Sequence, residues 1–171
     1  MTPEFSRPER LDTIGERERE VRIAAEPAER VALAERFALL AVDRLEATLA
    51  VRREGEGAIV TGRVIGAVVQ ACSVTGEPVP AQVDEPVALR FVVDEDAPEE
   101  TELSVDLLDT LPIENGAIDL GEAAAETLAL ALDPFPRGPD AQAALKDTGV
   151  LAEDEAGPFG GLAALRDKLG G

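Results

Sequence analysis

The chain has 171 residues, of which 45% are hydrophobic, and its 35 acidic residues outnumber 16 basic ones to give a net charge of −19 at pH 7. This length suits one compact domain with a tail, and the acidity disfavours DNA binding because nucleic-acid affinity depends on Lys and Arg that displace counterions. No apolar run approaches the roughly 20 residues that a membrane-spanning helix needs, so we expect no membrane span.

The residue inventory also limits the chemistry. The chain has no histidine and one cysteine, Cys72. Nucleophiles of the Ser-His-Asp and Cys-His types are therefore excluded, and a lone cysteine forms neither an internal disulfide nor a four-ligand zinc site. We expect no catalytic, cofactor or metal site, and a charged N-terminus with a single thiol suits a cytoplasmic protein.

The first part of the chain alternates between strand and helix patterns. Residues 1–19 show no periodicity and are predicted to be an extended, Arg-rich lead-in. Residues 20–24 alternate as a short strand, and Pro27 suits the first turn of a helix that we predict over residues 27–40. Residues 43–53 return to an alternating pattern, which is typical of a strand with one face in water.

The middle of the chain predicts an antiparallel strand pair. Residues 58–72 and 81–93 are rich in β-branched side chains, and the residues between them contain the turn sequence TGEP. The first of these strands carries apolar residues on both faces, which indicates a central position, cover on both faces or a bulge. Gly62 and Gly66 mark the predicted bulge or bend.

Two local signals follow in the second half. Asn115 and Gly116 stand between two short apolar pieces, a pattern that favours a hairpin. Asp119 and Glu122 have the spacing of a capping box, which predicts a helix that ends before Pro134. These two acids could also be an acid/base pair, but the cap is the favoured interpretation.

The negative charge is concentrated after residue 56. Residues 1–56 carry ten Arg against 13 acidic residues, whereas residues 84–126 hold 14 carboxylates and one basic residue, Arg90. Such a surface attracts basic partners, although solvated charges that serve only solubility are the alternative. The candidate contacts in the acidic loop of residues 94–100 are Glu95, Asp96, Glu99 and Glu100.

The end of the chain predicts a flexible acidic tail, over residues 138–171, after a domain of residues 1–137. Its last part repeats apolar residues at helical spacing, which indicates a short amphipathic segment that docks either on this chain or on a partner. The candidate anchors are Phe159, Leu162, Leu165 and Leu169.

Together these elements predict an α+β fold. We expect an antiparallel sheet, either a meander or barrel-like, with two main helices.

Three motifs add a family resemblance. The sequences QACSVTGEPV at residues 70–79, ENGAIDL at 114–120 and LALDPFPR at 130–137 resemble the YceD family of large ribosomal RNA subunit accumulation proteins, in order and spacing. The resemblance covers roughly residues 3–140, and the closing segment from Pro158 to Lys168 is similar to the tails of some members. It implies a cytoplasmic, non-enzymatic factor that supports 23S rRNA accumulation or processing and large-subunit assembly.

One departure from the family concerns the loop. Many members carry Cys-x-x-Cys there, which suggests a metal site, but this chain has Thr75 three residues after Cys72. A zinc role is therefore not carried over, and the loop's shape is expected to matter more than a metal. The candidate interaction residues here are Gln70, Cys72, Thr75, Gly76, Glu77 and Pro78.

The leading hypothesis is thus a bacterial ribosome biogenesis factor that binds a basic ribosomal or assembly protein. A pre-ribosomal particle or rRNA is a further partner, with direct RNA contact limited to the Arg-rich N-terminal third. The alternative is a small enzyme that uses carboxylates on an unknown substrate, since glycosidase-type chemistry needs only two acids.

Overall fold

A computed structural model describes residues 3–93, 109–113 and 115–149. Its strands are β1 (Pro8–Arg10), β2 (Arg19–Ala24), β3 (Ala41–Glu54), β4 (Gly57–Ala71), β5 (Pro78–Val92), β6 (Asp109–Pro112) and β7 (Ala117–Asp119). Its helices are α1 (Pro27–Arg36), α2 (Leu120–Ala131) and α3 (Ala141–Asp147), with a 3₁₀ turn at Leu11–Thr13. The predicted α+β class is confirmed.

The larger sheet has the strand order β2-β3-β4-β5-β6. The pairs β2–β3 and β3–β4 are antiparallel, but β5 and β6 run parallel. A purely antiparallel meander is therefore wrong for the last strand. In the described part of the chain the sheet is open, because its outer strands β2 and β6 do not pair with each other, so the barrel-like alternative is also wrong.

The glycines of β4 allow close approach of neighbouring chains. In the pairing of β3 with β4 the register shift lies on β3 between Val42 and Arg44, and Gly62 and Gly66 stay in register with Leu49 and Leu45. A Cβ on Gly62, whose φ is 152°, would press on the carbonyl oxygen of Thr48. A Cβ on Gly66 would meet the side chain of Leu128, so this glycine makes room for α2 on the sheet.

The predicted burial of both faces of β4 is found only at the N-terminal end of the strand. Ala58, Ile59 and Val60 are all buried, whereas Ile65 is 36% exposed.

The N-terminal segment belongs to the core, so the predicted lead-in is wrong. Phe5 is fully buried and Ile14 is 5% exposed. β1 pairs with β7 in a separate two-stranded antiparallel sheet. The short strand escaped the sequence analysis because three residues are too few to show a period.

The Asn-Gly turn forms, but not the hairpin. Asn115 and Gly116 have φ values of 53° and 69°, as the turn chemistry requires. The strands on either side belong to different sheets, since β6 pairs with β5 and β7 pairs with β1.

Both predicted helices are present. α1 begins at Pro27 and ends at Arg36, four residues earlier than predicted, and Ala38 then has a left-handed φ of 53°. α2 is capped by Asp119, whose side chain accepts hydrogen bonds from the backbone N–H groups of Gly121 and Glu122. α3 lies in a stretch that showed little pattern, and its Ala141 is buried.

The chain divides into two compact units. Unit 1 comprises Met1–Gln70 and Pro80–Pro134, and unit 2 comprises Ala71–Val79 and Phe135–Gly171. The predicted boundary between a domain of residues 1–137 and a tail stays a prediction. Among the described helices, none combines the length and apolarity needed to cross a membrane.

Candidate functional site: the Cys72 loop and the α2 groove

The loop between β4 and β5 is closed by its own backbone. The Cys72 N–H donates to the Glu77 carbonyl at 2.7 Å, and the Gly76 N–H donates to the Cys72 carbonyl at 2.9 Å. Gly76 adopts a φ of 75°, which glycine reaches at little steric cost. The Thr75 hydroxyl accepts a bond from the Glu77 N–H at 3.3 Å. These bonds define residues 72–77 as a compact turn, which we call the Cys72 loop.

A second segment of unit 2 fastens this loop. The Ser73 N–H donates to the Pro136 carbonyl at 2.8 Å. The Gly138 N–H donates to the Cys72 Sγ at 3.3 Å, and the Thr75 N–H donates to the same sulfur at 3.5 Å. The thiol thus lies where the Cys72 loop contacts residues 136–138.

These donors stabilise the thiolate. The backbone N–H of Gly138, followed by hydrogen bonds from Thr75 and Val74, lowers the pKa of Cys72 from 9.0 to about 6. Cys72 is nevertheless buried, with 4% of its surface exposed. Within the described ranges, no group of three or more His, Cys, Asp or Glu side chains is placed to hold a metal ion.

The structure separates the predicted loop residues into an inner and an outer set. Gln70 is 8% exposed, and its Nε2 donates to the Asp133 carbonyl at 2.8 Å, which is a structural role in unit 1. Cys72 is also buried. The exposed side of the loop carries Thr75, Gly76, Glu77 and Pro78.

The other predicted contacts lie outside the described residues. These are Glu95, Asp96, Glu99 and Glu100 of the acidic loop, and Phe159, Leu162, Leu165 and Leu169 of the closing segment. They stay predictions.

Carboxylates already neutralise most arginines of the N-terminal third. Arg7 binds both oxygens of Glu29, at 2.7 and 3.0 Å, and this bidentate bond lowers the pKa of Glu29. Arg36 binds Glu122 at 2.6 Å as well as a second carboxylate. The remaining pairs here are Arg10–Asp12, Arg19–Glu9, Arg22–Glu20, Arg44–Glu46 and Arg52–Glu54.

Unit 1 also contains a groove between β5, β6 and α2, which we call the α2 groove. Its volume is about 550 Å³. Leu89 of β5 and Leu111 of β6 line it and are half-buried, while Leu130 of α2 lines it with 87% of its surface exposed. The groove therefore offers apolar side chains that the protein's own core leaves in contact with water.

Acidic side chains border the same groove. Glu85, Asp109 and Glu126 contribute to its lining and are exposed, and among the described residues no Lys or Arg lines it. The nearby Arg63 forms an ion pair with Asp84, while Glu85 acts on it only through longer-range attraction. The α2 groove thus combines apolar side chains with a border on which every charged side chain that the structure describes is acidic.

Sequence reasoning missed this groove. The excess of acids over residues 84–126 was visible, but their convergence with three leucines depends on the parallel pairing of β5 with β6. One available signal was Leu130. It follows the buried Leu128 by two positions, which places it about 200° around the helix, away from the buried side.

Comparison with known families gives one match. The family described as large ribosomal RNA subunit accumulation protein YceD matches residues 60–166. This span begins within β4, contains the Cys72 loop and the α2 groove, and covers more than half of the chain. No curated protein and no solved structure shows a significant match.

Proposed function

Because the chain belongs to the family of the large ribosomal RNA subunit accumulation protein YceD, we propose that it is a non-enzymatic factor for assembly of the large ribosomal subunit. In this role it supports accumulation or processing of 23S rRNA in the cytoplasm. The family match carries this proposal.

The charge distribution supports a basic protein, ribosomal or otherwise involved in assembly, as the direct partner. A net charge of −19 repels a phosphate backbone. Of the ten arginines in residues 1–56, seven are engaged with carboxylates, and Arg30 and Arg53 donate to backbone carbonyls. A phosphate would therefore compete with these partners for the guanidinium groups.

The exposure of the groove acids favours an adaptor over a carboxylate enzyme. The general acid of a glycosidase lies in a partly buried pocket that raises its pKa. Glu85, Asp109 and Glu126 instead are exposed side chains at the border of a groove. Exposed carboxylates of this kind would attract a cationic surface.

A strain that lacks the gene tests the role. We expect sucrose gradients of its lysate to show fewer large subunits, and primer extension to show less mature 23S rRNA. Expression of the wild-type chain from a plasmid should restore both. Unchanged gradients and unchanged 23S rRNA would contradict the proposal.

Affinity capture tests the partner. A tagged chain should retain a basic protein from a lysate after RNase treatment, and the yield should fall as salt rises because the contact is electrostatic. Capture that RNase abolishes would instead identify RNA as the direct partner.

A further inference from the structure

We propose that the α2 groove binds a basic segment of a partner protein, with apolar side chains of that segment on Leu89, Leu111 and Leu130 and cationic side chains at the acidic border. This inference rests on the proposed function, because it assigns the surface through which the basic partner is held. Apart from Leu130, which begins the motif at residues 130–137, its residues lie outside the three motifs of the family resemblance.

Helix α2 presents one large apolar side chain outside the core. Its buried side includes Leu120, Ala124 and Leu128, which pack in the core of unit 1. Leu130 makes no use of that core, since 87% of its surface is exposed. A large apolar side chain kept beside a groove with two further leucines is typical of a surface that another apolar group covers.

The acidic side chains at the border of the groove favour a cationic occupant. Glu85, Asp109 and Glu126 border the groove, and the described part of its lining contains no lysine or arginine. A cationic segment would gain favourable contacts on both flanks, whereas an acidic one would be repelled.

Two other occupants, the connection between β5 and β6 and a second copy of the chain, fit less well. Residues 94–108, which connect β5 to β6, contain seven acidic residues and no basic one. A second copy would bring another net charge of −19, and a symmetric contact would place the same acids against each other. A basic partner avoids both repulsions.

A peptide probe tests the inference on the full-length protein. The probe is a labelled peptide of about 14 residues with Leu at helical spacing and Lys elsewhere. A second peptide carries Ser in place of each Leu at the same charge. Fluorescence anisotropy at about 150 mM salt should show that the Leu peptide binds at least about tenfold more tightly, because the groove contributes apolar contacts.

Paired variants locate the site. Glu85→Lys with Glu126→Lys should weaken binding of the Leu peptide at least about tenfold, whereas Glu35→Lys with Glu16→Lys, which changes the net charge equally, should change it less than about threefold. Leu130→Ser should cause a similar loss, and Val31→Ser on α1 should not. All six side chains are exposed, so thermal melts should show that each variant folds.

Three results would overturn the inference. Equal losses in the groove variants and their controls would mean that net charge alone binds the peptide. Equal affinity for the Leu and Ser peptides would exclude the apolar contact. A dimer in sedimentation equilibrium that Leu130→Ser dissociates would identify a second copy as the occupant.

The two proposals fail separately. If Leu130→Ser abolishes peptide binding but cells that carry it accumulate normal large subunits, the groove is not the assembly surface and the proposed function stands. If the deletion strain assembles normal subunits, the proposed function fails even if the groove binds the peptide.

Discussion

At the scale of single residues, backbone amides determine the state of the Cys72 thiol. Two N–H groups, of Gly138 and Thr75, point at the sulfur in a chain that has no histidine to act as its base. The low pKa therefore follows from structural hydrogen bonds that fasten the loop. A thiolate stabilised in this way contributes to folding.

Cys72→Ser should reveal this contribution through pH. Between about 6 and 9.0 the folded protein carries the thiolate while the unfolded chain keeps its proton, so the stability from this group is complete above 9.0 and is lost as the pH falls through about 6. The melting temperature of the wild type should exceed that of the variant by more at pH about 9 than at pH about 5.5. An equal difference at both values would contradict a thiolate in the folded state.

The same variant should leave large-subunit accumulation intact, because the serine hydroxyl still accepts the loop's hydrogen bonds. The protein is expected to bind no metal at this position. Stoichiometric zinc in the purified wild type, absent from the variant, would contradict this.

Gly62 is required for a different reason. Its φ of 152° and the nearness of the Thr48 carbonyl leave no room for a side chain. Gly62→Ala should lower the free energy of unfolding by about 1–3 kcal/mol or more. Gly15→Ala is the control, because the nearest atom to an added Cβ is 4.0 Å away; its effect in urea unfolding should stay within about 0.5 kcal/mol. Equal effects would show that the strands can separate to admit the methyl group.

At the scale of elements, the N-terminal segment is part of the folded unit. Two groups of this segment bind the carboxylate of Asp119, the cap of α2. The backbone N–H of Arg7 donates to it at 2.7 Å, and the Ser6 hydroxyl also donates to it. Asp119 therefore stabilises the start of α2 and holds the N-terminal segment at the same time. Glu122, which the capping-box spacing assigned to the cap, pairs with Arg36.

Phe5→Ala should consequently destabilise the protein strongly. Phe5 is fully buried, and truncation of such a side chain costs about 3–5 kcal/mol. Val31→Ala, at a side chain that is 62% exposed, should change the free energy of unfolding by less than about 0.5 kcal/mol. If Phe5→Ala behaved like the Val31 control, the segment would be the loose lead-in that the sequence suggested.

The closing amphipathic segment is expected to act differently. Deletion of residues 158–171 should leave the melting temperature nearly unchanged while it weakens association with pre-ribosomal particles, because an isolated helix of this length is marginal in water and orders on docking. Differential scanning calorimetry and gradient co-sedimentation measure the two effects. A clear loss of thermal stability would show that the segment packs on this chain instead.

At the scale of the whole molecule, the negative charge is distributed unevenly along the chain. The ten arginines of residues 1–56 are offset by 13 acids, whereas residues 57–171 contain 22 acidic and six basic residues. Because the excess of acids is much larger in residues 57–171, this part of the chain dominates the long-range field. A basic partner would be attracted to it, and salt would screen the attraction.

Neutralisation of the acidic loop tests this field. The variant carries Glu95→Gln, Asp96→Asn, Glu99→Gln and Glu100→Gln, and its control carries Glu16→Gln, Glu18→Gln, Glu35→Gln and Glu56→Gln. Both raise the net charge by four, but we expect only the first to weaken capture of the partner, by about tenfold or less for exposed charges. Unchanged capture would mean that the loop's charges serve only solubility.

The sequence by itself determined the elements whose signals are local. Alternation predicted β2 and β3, Pro27 marked the start of α1, and the Asp119 cap marked α2, because each depends on residues a few positions apart. The motifs at residues 70–79, 114–120 and 130–137 indicated the family, which the match over residues 60–166 confirms. The excess of acidic residues is likewise a property of the composition alone.

The tertiary structure alone decided how distant pieces meet. Three-residue strands such as β1 and β7 are too short to show a period, so the sequence did not predict that they pair. The parallel alignment of β5 with β6 brings Leu89, Leu111 and Leu130 into one groove, and a residue 66 positions away lowers the pKa of Cys72. Contacts of this range depend on the packing of the whole core, and no local pattern of residues encodes them.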